Sequence, residues 1–189
     1  AADAKPGTTL TVKLRATYAA CDDKRCLPPQ MDRAFEVTVP IVAPGTPVKP
    51  LRPEVFEPAG IRFDAGAGTG GKPASGGAPA GAAAKVAGVP DDYPVRVAAF
   101  VSQEPVRPGA RFLVAVEFVV EEPYHVYGSK SEGTPTAVKG VAGGGFSPAE
   151  TIYPESHEVT LFNTPTKVYE KTVHVLVPVT AARDLAPGP

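Results

Sequence analysis

The stretch Thr9-Leu-Thr-Val-Lys-Leu-Arg-Ala-Thr-Tyr18 indicates the class of the fold, because polar and apolar side chains alternate along all of it. Successive side chains of a strand point to opposite faces, so this period of two predicts a strand with one buried face and one solvated face. A second alternation, from Phe35 to Ile41, follows after a short connection. The two stretches therefore predict consecutive and antiparallel strands.

The second half of the chain shows the same kind of pattern. Alternating apolar residues run from Val95 to Val101 and from Val173 to Val179, and residues 112–120 are apolar enough for a strand buried on both faces. The chain contains 19 Gly and 23 Pro residues, which disfavour helices, so a protein built on long helices is not expected. We predict an all-β sandwich, with residues 124–162 mostly in loops.

Composition and charge exclude some classes of function. The net charge of −1 comes without a basic stripe, so nucleic acid is not expected as a partner. No apolar run approaches the roughly 20 residues of a membrane helix, so no membrane segment is expected in this chain, although the parent protein can still be membrane-attached. The first residues lack the pattern of a signal peptide, and any targeting segment is expected to lie outside this piece.

The chain divides into three parts. Residues 49–90 are predicted to be a linker, rich first in Pro and then in Gly and Ala, between strand-forming parts at 1–48 and 91–189. Both ends of the chain carry similar short segments, Ala-Ala-Asp-Ala-Lys-Pro-Gly and Ala-Ala-Arg-Asp-Leu-Ala-Pro-Gly. The two parts are therefore either partial modules of a tandem pair or the halves of one permuted sandwich.

Cys21 and Cys26 are the only cysteines, and they lie five positions apart in the connection between the first two predicted strands. A thiolate that attacks a disulfide and a second thiol that releases the mixed intermediate meet the minimum requirement for disulfide exchange. The alternative is a permanent structural disulfide, which would stabilise the folded protein by roughly 2 kcal/mol for so short a loop. A zinc site is disfavoured because the three His residues show no ligand spacing.

The charged residues between the two cysteines bear on their reactivity. Lys24 and Arg25 would favour the thiolate, and Asp22 and Asp23 would oppose it.

The segment Tyr18-Ala-Ala-Cys21-Asp-Asp-Lys-Arg-Cys26-Leu-Pro-Pro29 resembles the active-site segment of the N-terminal periplasmic domain of the DsbD thiol:disulfide interchange protein family. The shared features are the aromatic residue, the short acidic spacer, the second cysteine, one further residue and Pro-Pro. The spacer has four residues, where the best-known members have five. Tyr124-His-Val-Tyr127 resembles the tyrosine-containing strand of the family, and residues 161–170 resemble its cap loop and the following strand.

The resemblance implies an immunoglobulin-like β-sandwich and a role for each matching residue. Cys26 would be the exposed nucleophile, Cys21 the resolving thiol and Phe162 the cap-loop aromatic that shields the disulfide. Tyr127 and His125 would help to shape the site. The acidic residues that flank the cap aromatic in the family are replaced here by Thr160 and Leu161.

Plainer roles compete with these assignments. His125 can be a packing or surface residue, Phe162 can be a core residue, and Tyr18 is expected in the core because it lies on the apolar face of its strand.

The implied function is extracytoplasmic, and most specifically periplasmic, electron relay. The reduced pair would pass electrons to periplasmic thiol-disulfide proteins, in cytochrome c maturation or disulfide correction, and a thioredoxin-like domain would re-reduce it. No bound cofactor is required. The alternative is a non-catalytic β-sandwich, used for binding or as a spacer, with a structural disulfide.

Overall fold

A computed structural model describes residues 9–57 and 89–187 of the chain. The described residues form an all-β sandwich, as the alternating pattern predicts. The strands are β1 (Thr9–Tyr18), β2 (Ala20–Cys21), β3 (Gln30–Pro40), β4 (Lys49–Pro50), β5 (Val95–Val101), β6 (Gln103–Glu104), β7 (Arg111–Val120), β8 (His125–Tyr127), β9 (Ala137–Gly140), β10 (Phe146–Pro148), β11 (His157–Leu161), β12 (Thr164–Tyr169) and β13 (Thr172–Ala181), and one helical turn, α1, spans Pro53–Phe56.

The first layer of the sandwich is the sheet β3-β1-β9. β1 and β3 are antiparallel, as predicted, and their register runs from Thr9 opposite Pro40 to Tyr18 opposite Gln30. The apolar positions of β1 are buried and most of its polar positions are open to solvent, so the period of two identifies its core face correctly. Tyr18 is fully buried, and its assignment to the core is confirmed.

The second layer is the antiparallel sheet β10-β13-β7-β5. β7 is buried along most of its length on both faces, as its continuous apolar run predicts. One face packs against the first layer, and the other is covered by the segment that contains α1. Phe56 of α1 packs there in a small cluster with Phe100 of β5 and Leu113 of β7.

The covering segment lies inside the region predicted to be a linker. Residues 49–57 contain β4 and α1, and β4 pairs with β6. Arg52 adds to this contact, because its guanidinium lies 4.0 Å from the centre of the Phe100 ring. The packed structure therefore continues past residue 48, and the Gly/Ala-rich stretch at 65–88 lies outside the described residues.

One hydrophobic core joins the strands on either side of that stretch. β1 pairs with β9, and the buried faces of β1 and β3 pack with those of β5, β7 and β13. The rings of Tyr18 and Phe118 meet edge to face, with their centroids 5.4 Å apart. Gly140 of β9 approaches Pro148 of β10 so closely that a Cβ there would collide with the proline ring.

A third sheet, β11-β12-β8-β2, carries the first cysteine on its edge strand. Two of its four strands, β8 and β11, lie within residues 124–162, where most residues are outside strands, as predicted. β8, β9, β10 and β11 all lie in that region, although none exceeds five residues. Short strands separated by glycine-rich turns leave no long alternation, so the sequence pattern there is weak.

Candidate functional site

Cys21 and Cys26 form a disulfide across a tight hairpin. They lie directly opposite each other, with their Cα atoms 4.0 Å apart. Hydrogen bonds close the hairpin on either side of the pair, from the Asp22 amide to the Arg25 carbonyl and from the Leu27 amide to the Ala20 carbonyl. The cysteines therefore occupy a non-hydrogen-bonded position of an antiparallel ladder, where facing residues approach most closely.

Asp22 fixes the turn between the two cysteines. Its carboxylate accepts hydrogen bonds from the backbone amides of Lys24 and Arg25, each at 2.8 Å. These two bonds lower the pKa of the Asp22 carboxyl below its ordinary value. The side chain proposed to oppose the thiolate thus also has a structural role, because it holds the loop in one shape.

The other charged residues of the turn, Asp23, Lys24 and Arg25, are exposed to solvent. They belong to the same six-residue loop as the disulfide, so the four proposed thiolate-tuning residues lie together at the hairpin tip. Exposed charges act on a neighbouring sulfur through water and counter-ions, so their influence is expected to weaken as salt is added.

Tyr93 anchors the hairpin to the sandwich. Its hydroxyl oxygen accepts a hydrogen bond from the Ala20 amide at 3.0 Å and lies 3.3 Å from the Pro28 carbonyl, to which it donates. The hydroxyl therefore holds both arms of the hairpin. Burial raises the pKa of Tyr93, so the hydroxyl remains a donor over the physiological range. The sequence does not indicate this role of Tyr93, because 73 positions separate it from Ala20 and no local motif marks it.

The two cysteines differ sharply in exposure. Cys21 is fully buried, whereas Cys26 is exposed on the outer arm of the hairpin. A protein that docked on this surface could reach the sulfur of Cys26 but not that of Cys21. The two cysteines therefore differ in accessibility even when no partner is bound.

The face on which Cys21 lies follows from the register of the third sheet. Ala20 pairs with Val126, which pairs with Tyr169, and all three are buried in the main core. Because neighbouring residues of a strand alternate between faces, Cys21 and His125 point away from that core. They form a directly opposed pair across β2 and β8.

His125 lies beside the buried cysteine in a mixed electrostatic environment. Its side chain is 3% exposed. Burial lowers its pKa below the ordinary histidine value, and His157 acts in the same direction. The carboxylates of Glu170, Asp23 and Asp22 oppose the shift. The predicted site-shaping residue is thus a buried titratable group next to the disulfide.

Tyr127 lies two positions further along β8 and contacts the other cysteine. Its hydroxyl oxygen is 3.5 Å from the sulfur of Cys26. Residues two apart on a strand share a face, so Tyr127 and His125 lie on the same side of the sheet as Cys21. The structure therefore brings four of the predicted residues together: Cys21, Cys26, His125 and Tyr127.

Phe162 lies at the tip of the β11–β12 hairpin and is 52% exposed, so it is not a core residue. The pair nearest the disulfide in β8 and β12 is Val126 with Tyr169, and Phe162 lies just beyond the opposite end of β12. The structure therefore does not bring Phe162 together with the two cysteines. Phe162 and Asn163 both have positive φ, 49° and 62°, as a two-residue hairpin turn requires. A bulky residue rarely adopts such a conformation.

Metal binding and membrane insertion are two other possible roles for the described residues. Among residues 9–57 and 89–187, no group of three or more His, Cys, Asp or Glu side chains is arranged to hold a metal ion. No helix in those ranges is both long and apolar enough to span a bilayer.

Comparison of the chain with protein-family models, with curated proteins and with solved structures found no match.

Proposed function

We propose that this chain exchanges disulfides with other proteins through the Cys21–Cys26 pair, with Cys26 as the attacking thiol and Cys21 as the resolving thiol. The observation that carries the proposal is the contrast between an exposed Cys26 and a fully buried Cys21. Disulfide exchange passes through a mixed disulfide between two proteins, so one sulfur must be reachable by the partner. The second sulfur needs only to reach the first.

The chemistry requires no bound cofactor. The Cys26 thiolate attacks a sulfur of the partner disulfide, and the partner's other sulfur leaves with the electron pair. The Cys21 thiolate then attacks the sulfur of Cys26, and the partner leaves as a reduced dithiol. The Cys21–Cys26 disulfide forms as the partner disulfide is reduced, so electrons balance.

The direction and setting of this exchange follow from the resemblance to the DsbD N-terminal domain. In that proposal, a thioredoxin-like domain re-reduces the pair, and the pair reduces periplasmic thiol-disulfide proteins, as in cytochrome c maturation or disulfide correction. Such a relay operates outside the cytoplasm, where disulfides persist. Phe162 lies at the far tip of its hairpin rather than over the sulfur atoms, so it would contact a docking partner instead of covering the disulfide.

A structural disulfide in a binding or spacer module is the second candidate. The complete burial of Cys21 and the many contacts of the hairpin with the sandwich favour it. In the chain-entropy model, however, a loop this short contributes only about 2 kcal/mol, and the shared core already joins both parts of the chain. The two candidates differ in whether Cys26 reacts in the native state.

A trapping experiment distinguishes the two candidates. Reduced Cys21→Ser protein is mixed with an oxidised thioredoxin-like protein and quenched with acid, and adducts are identified by mass spectrometry. We expect a mixed disulfide through Cys26, because the resolving thiol is absent. The matched variant Cys26→Ser should capture much less, since its remaining thiol is buried.

The wild-type reduction potential provides a second measurement. Exchange proteins have potentials of about −120 to −270 mV, whereas structural disulfides typically lie below about −300 mV. No adduct through Cys26, together with a potential in the structural range, would contradict the proposal.

A further inference from the structure

The imidazole of His125 contains a buried nitrogen whose hydrogen bonding is unexplained by the fold. Within the described part of the chain, its Nε2 atom is buried and makes no hydrogen bond. Leaving a buried polar group unpaired is destabilising, so such atoms are uncommon in native proteins. An atom of this kind next to a disulfide suggests a partner that exists only in another redox state.

The register of β2 and β8 indicates which partner that is. His125 lies directly opposite Cys21. Opposed residues of an antiparallel pair share a face, with Cβ atoms about 4.5–5.5 Å apart, a gap that an imidazole ring can bridge. In the disulfide, the sulfur of Cys21 carries no proton to donate. Once the bond opens, Cys21 becomes a thiol and can donate to Nε2.

The burial of Cys21 creates a requirement that Cys26 does not have. A thiol must lose its proton before it attacks, because the thiolate is the nucleophile. Cys26 is exposed and can release its proton to solvent, whereas Cys21 is fully buried. The proton of Cys21 therefore needs an acceptor inside the protein.

We infer that His125 is the general base of the resolving step, accepting the Cys21 proton at Nε2. This inference rests on the proposed function. As the S–H bond of Cys21 breaks, its proton moves to Nε2, and the sulfur electron pair forms the bond to Cys26. The bond between Cys26 and the partner sulfur breaks, and that sulfur leaves as a thiolate. The imidazolium then gives its proton to this thiolate or to water.

The groups around His125 suit this role. Its lowered pKa keeps the ring neutral near pH 7, where a base must be unprotonated. The imidazolium that forms is stabilised by the carboxylates of Glu170, Asp22 and Asp23 and opposed by His157. Glu170 also lies 3.1 Å from His157, so its charge is shared between the two histidines.

An aromatic disulfide, Ellman's reagent, separates the two thiol reactions in a single experiment. Reduced protein releases one coloured thiolate when Cys26 attacks the reagent and a second when Cys21 resolves the adduct. Both releases are followed by stopped flow from pH 5 to pH 9 in wild type, His125→Gln and His174→Gln. His174→Gln is the matched control, because His174 of β13 bonds Glu117 of β7, in a different sheet from the disulfide.

In His125→Gln we expect the second release to slow roughly 100-fold at pH 7, within the usual range for loss of a general base. The first release should remain within about twofold of wild type, as should both releases in His174→Gln. The wild-type second rate should form a plateau above a midpoint below pH 6.5, the ordinary histidine value. In His125→Gln the rate should instead rise steadily with pH.

Unchanged second-step rates and pH dependence in His125→Gln would overturn the inference. If His125→Gln does not fold, as judged by circular dichroism, the pH dependence of the second release in wild-type protein tests the inference instead. A wild-type rate that rises steadily from pH 5 to pH 9 would overturn the inference. Failure of the proposed function is distinct, because Cys21→Ser would then trap no partner protein and the reduction potential would lie in the structural range, whatever the rates in His125→Gln.

Discussion

At the scale of single residues, the site depends on the different surroundings of two sulfur atoms in one hairpin. Cys21 belongs to a short edge strand and faces His125, whereas Cys26 lies on the returning arm and contacts Tyr127. The Tyr127 hydroxyl is the described group best placed to respond when the bond opens, because it can donate to a sulfur that has become charged.

This contact leads to a prediction for Tyr127→Phe. In the reduced protein, the hydroxyl should stabilise the Cys26 thiolate, and a hydrogen bond to a charged group contributes about 1.5 kcal/mol. Its loss should leave less of Cys26 as the thiolate and slow its attack at pH 7 several-fold.

The measurement is the pH dependence of the first thiolate release from Ellman's reagent. Tyr153→Phe is the control, because that hydroxyl bonds to the Val138 backbone. A pH dependence in Tyr127→Phe that coincides with wild type would show that the contact has no influence on the thiol.

At the scale of elements, the β11–β12 hairpin keeps a residue that its turn disfavours. A residue other than Gly, Asn or Asp is energetically unfavourable in the left-handed region of backbone conformation. Phe162 is too exposed for side-chain packing to offset this conformational energy. Strained conformations of this kind cluster at functional positions. The strain supports the proposal that Phe162 has a role in partner docking.

Phe162→Asn should therefore stabilise the protein by roughly 1 kcal/mol, because Asn tolerates positive φ. Urea denaturation measures the change. Phe162→Ala is the matched control, since it removes the ring but keeps the unfavourable conformation, and it should show no such gain. Equal stabilisation by both substitutions would mean that the exposed ring, rather than the turn, is responsible.

At the scale of the whole molecule, residues 9–57 and 89–187 depend on one shared core. β1 pairs with β9, β2 pairs with β8, and Tyr18 packs on Phe118. Neither part holds both sides of that core. The disulfide site is itself divided, with the cysteines in the first part and His125 and Tyr127 in the second.

Cutting the chain should therefore leave the fold intact. With a specific protease site placed between residues 65 and 88, we expect the two fragments to co-elute under native conditions after cleavage. They should separate in denaturant, which checks that cleavage is complete. A charge in the shared core, introduced by Val12→Asp, should release them without denaturant. Separation of the unsubstituted fragments under native conditions would contradict the single core.

The strands in which side chains alternate over many residues can be predicted from the amino-acid order alone. The apolar pattern predicts β1, β5, β7 and β13, because burial of a strand on one face or on both leaves a regular apolar pattern. The sequence also predicts the cysteine pair and its place between two antiparallel strands, because spacing along the chain is local information.

The way the two parts of the chain combine, and the surroundings of each sulfur, depend on long-range packing. Tyr93 holds the hairpin from 73 positions away, and Tyr127 meets Cys26 across 101. Contacts at such separations depend on strand pairing and register, which leave no local signal. The unequal exposure of Cys21 and Cys26 has the same origin, because burial is set by what packs over a residue rather than by its neighbours in sequence.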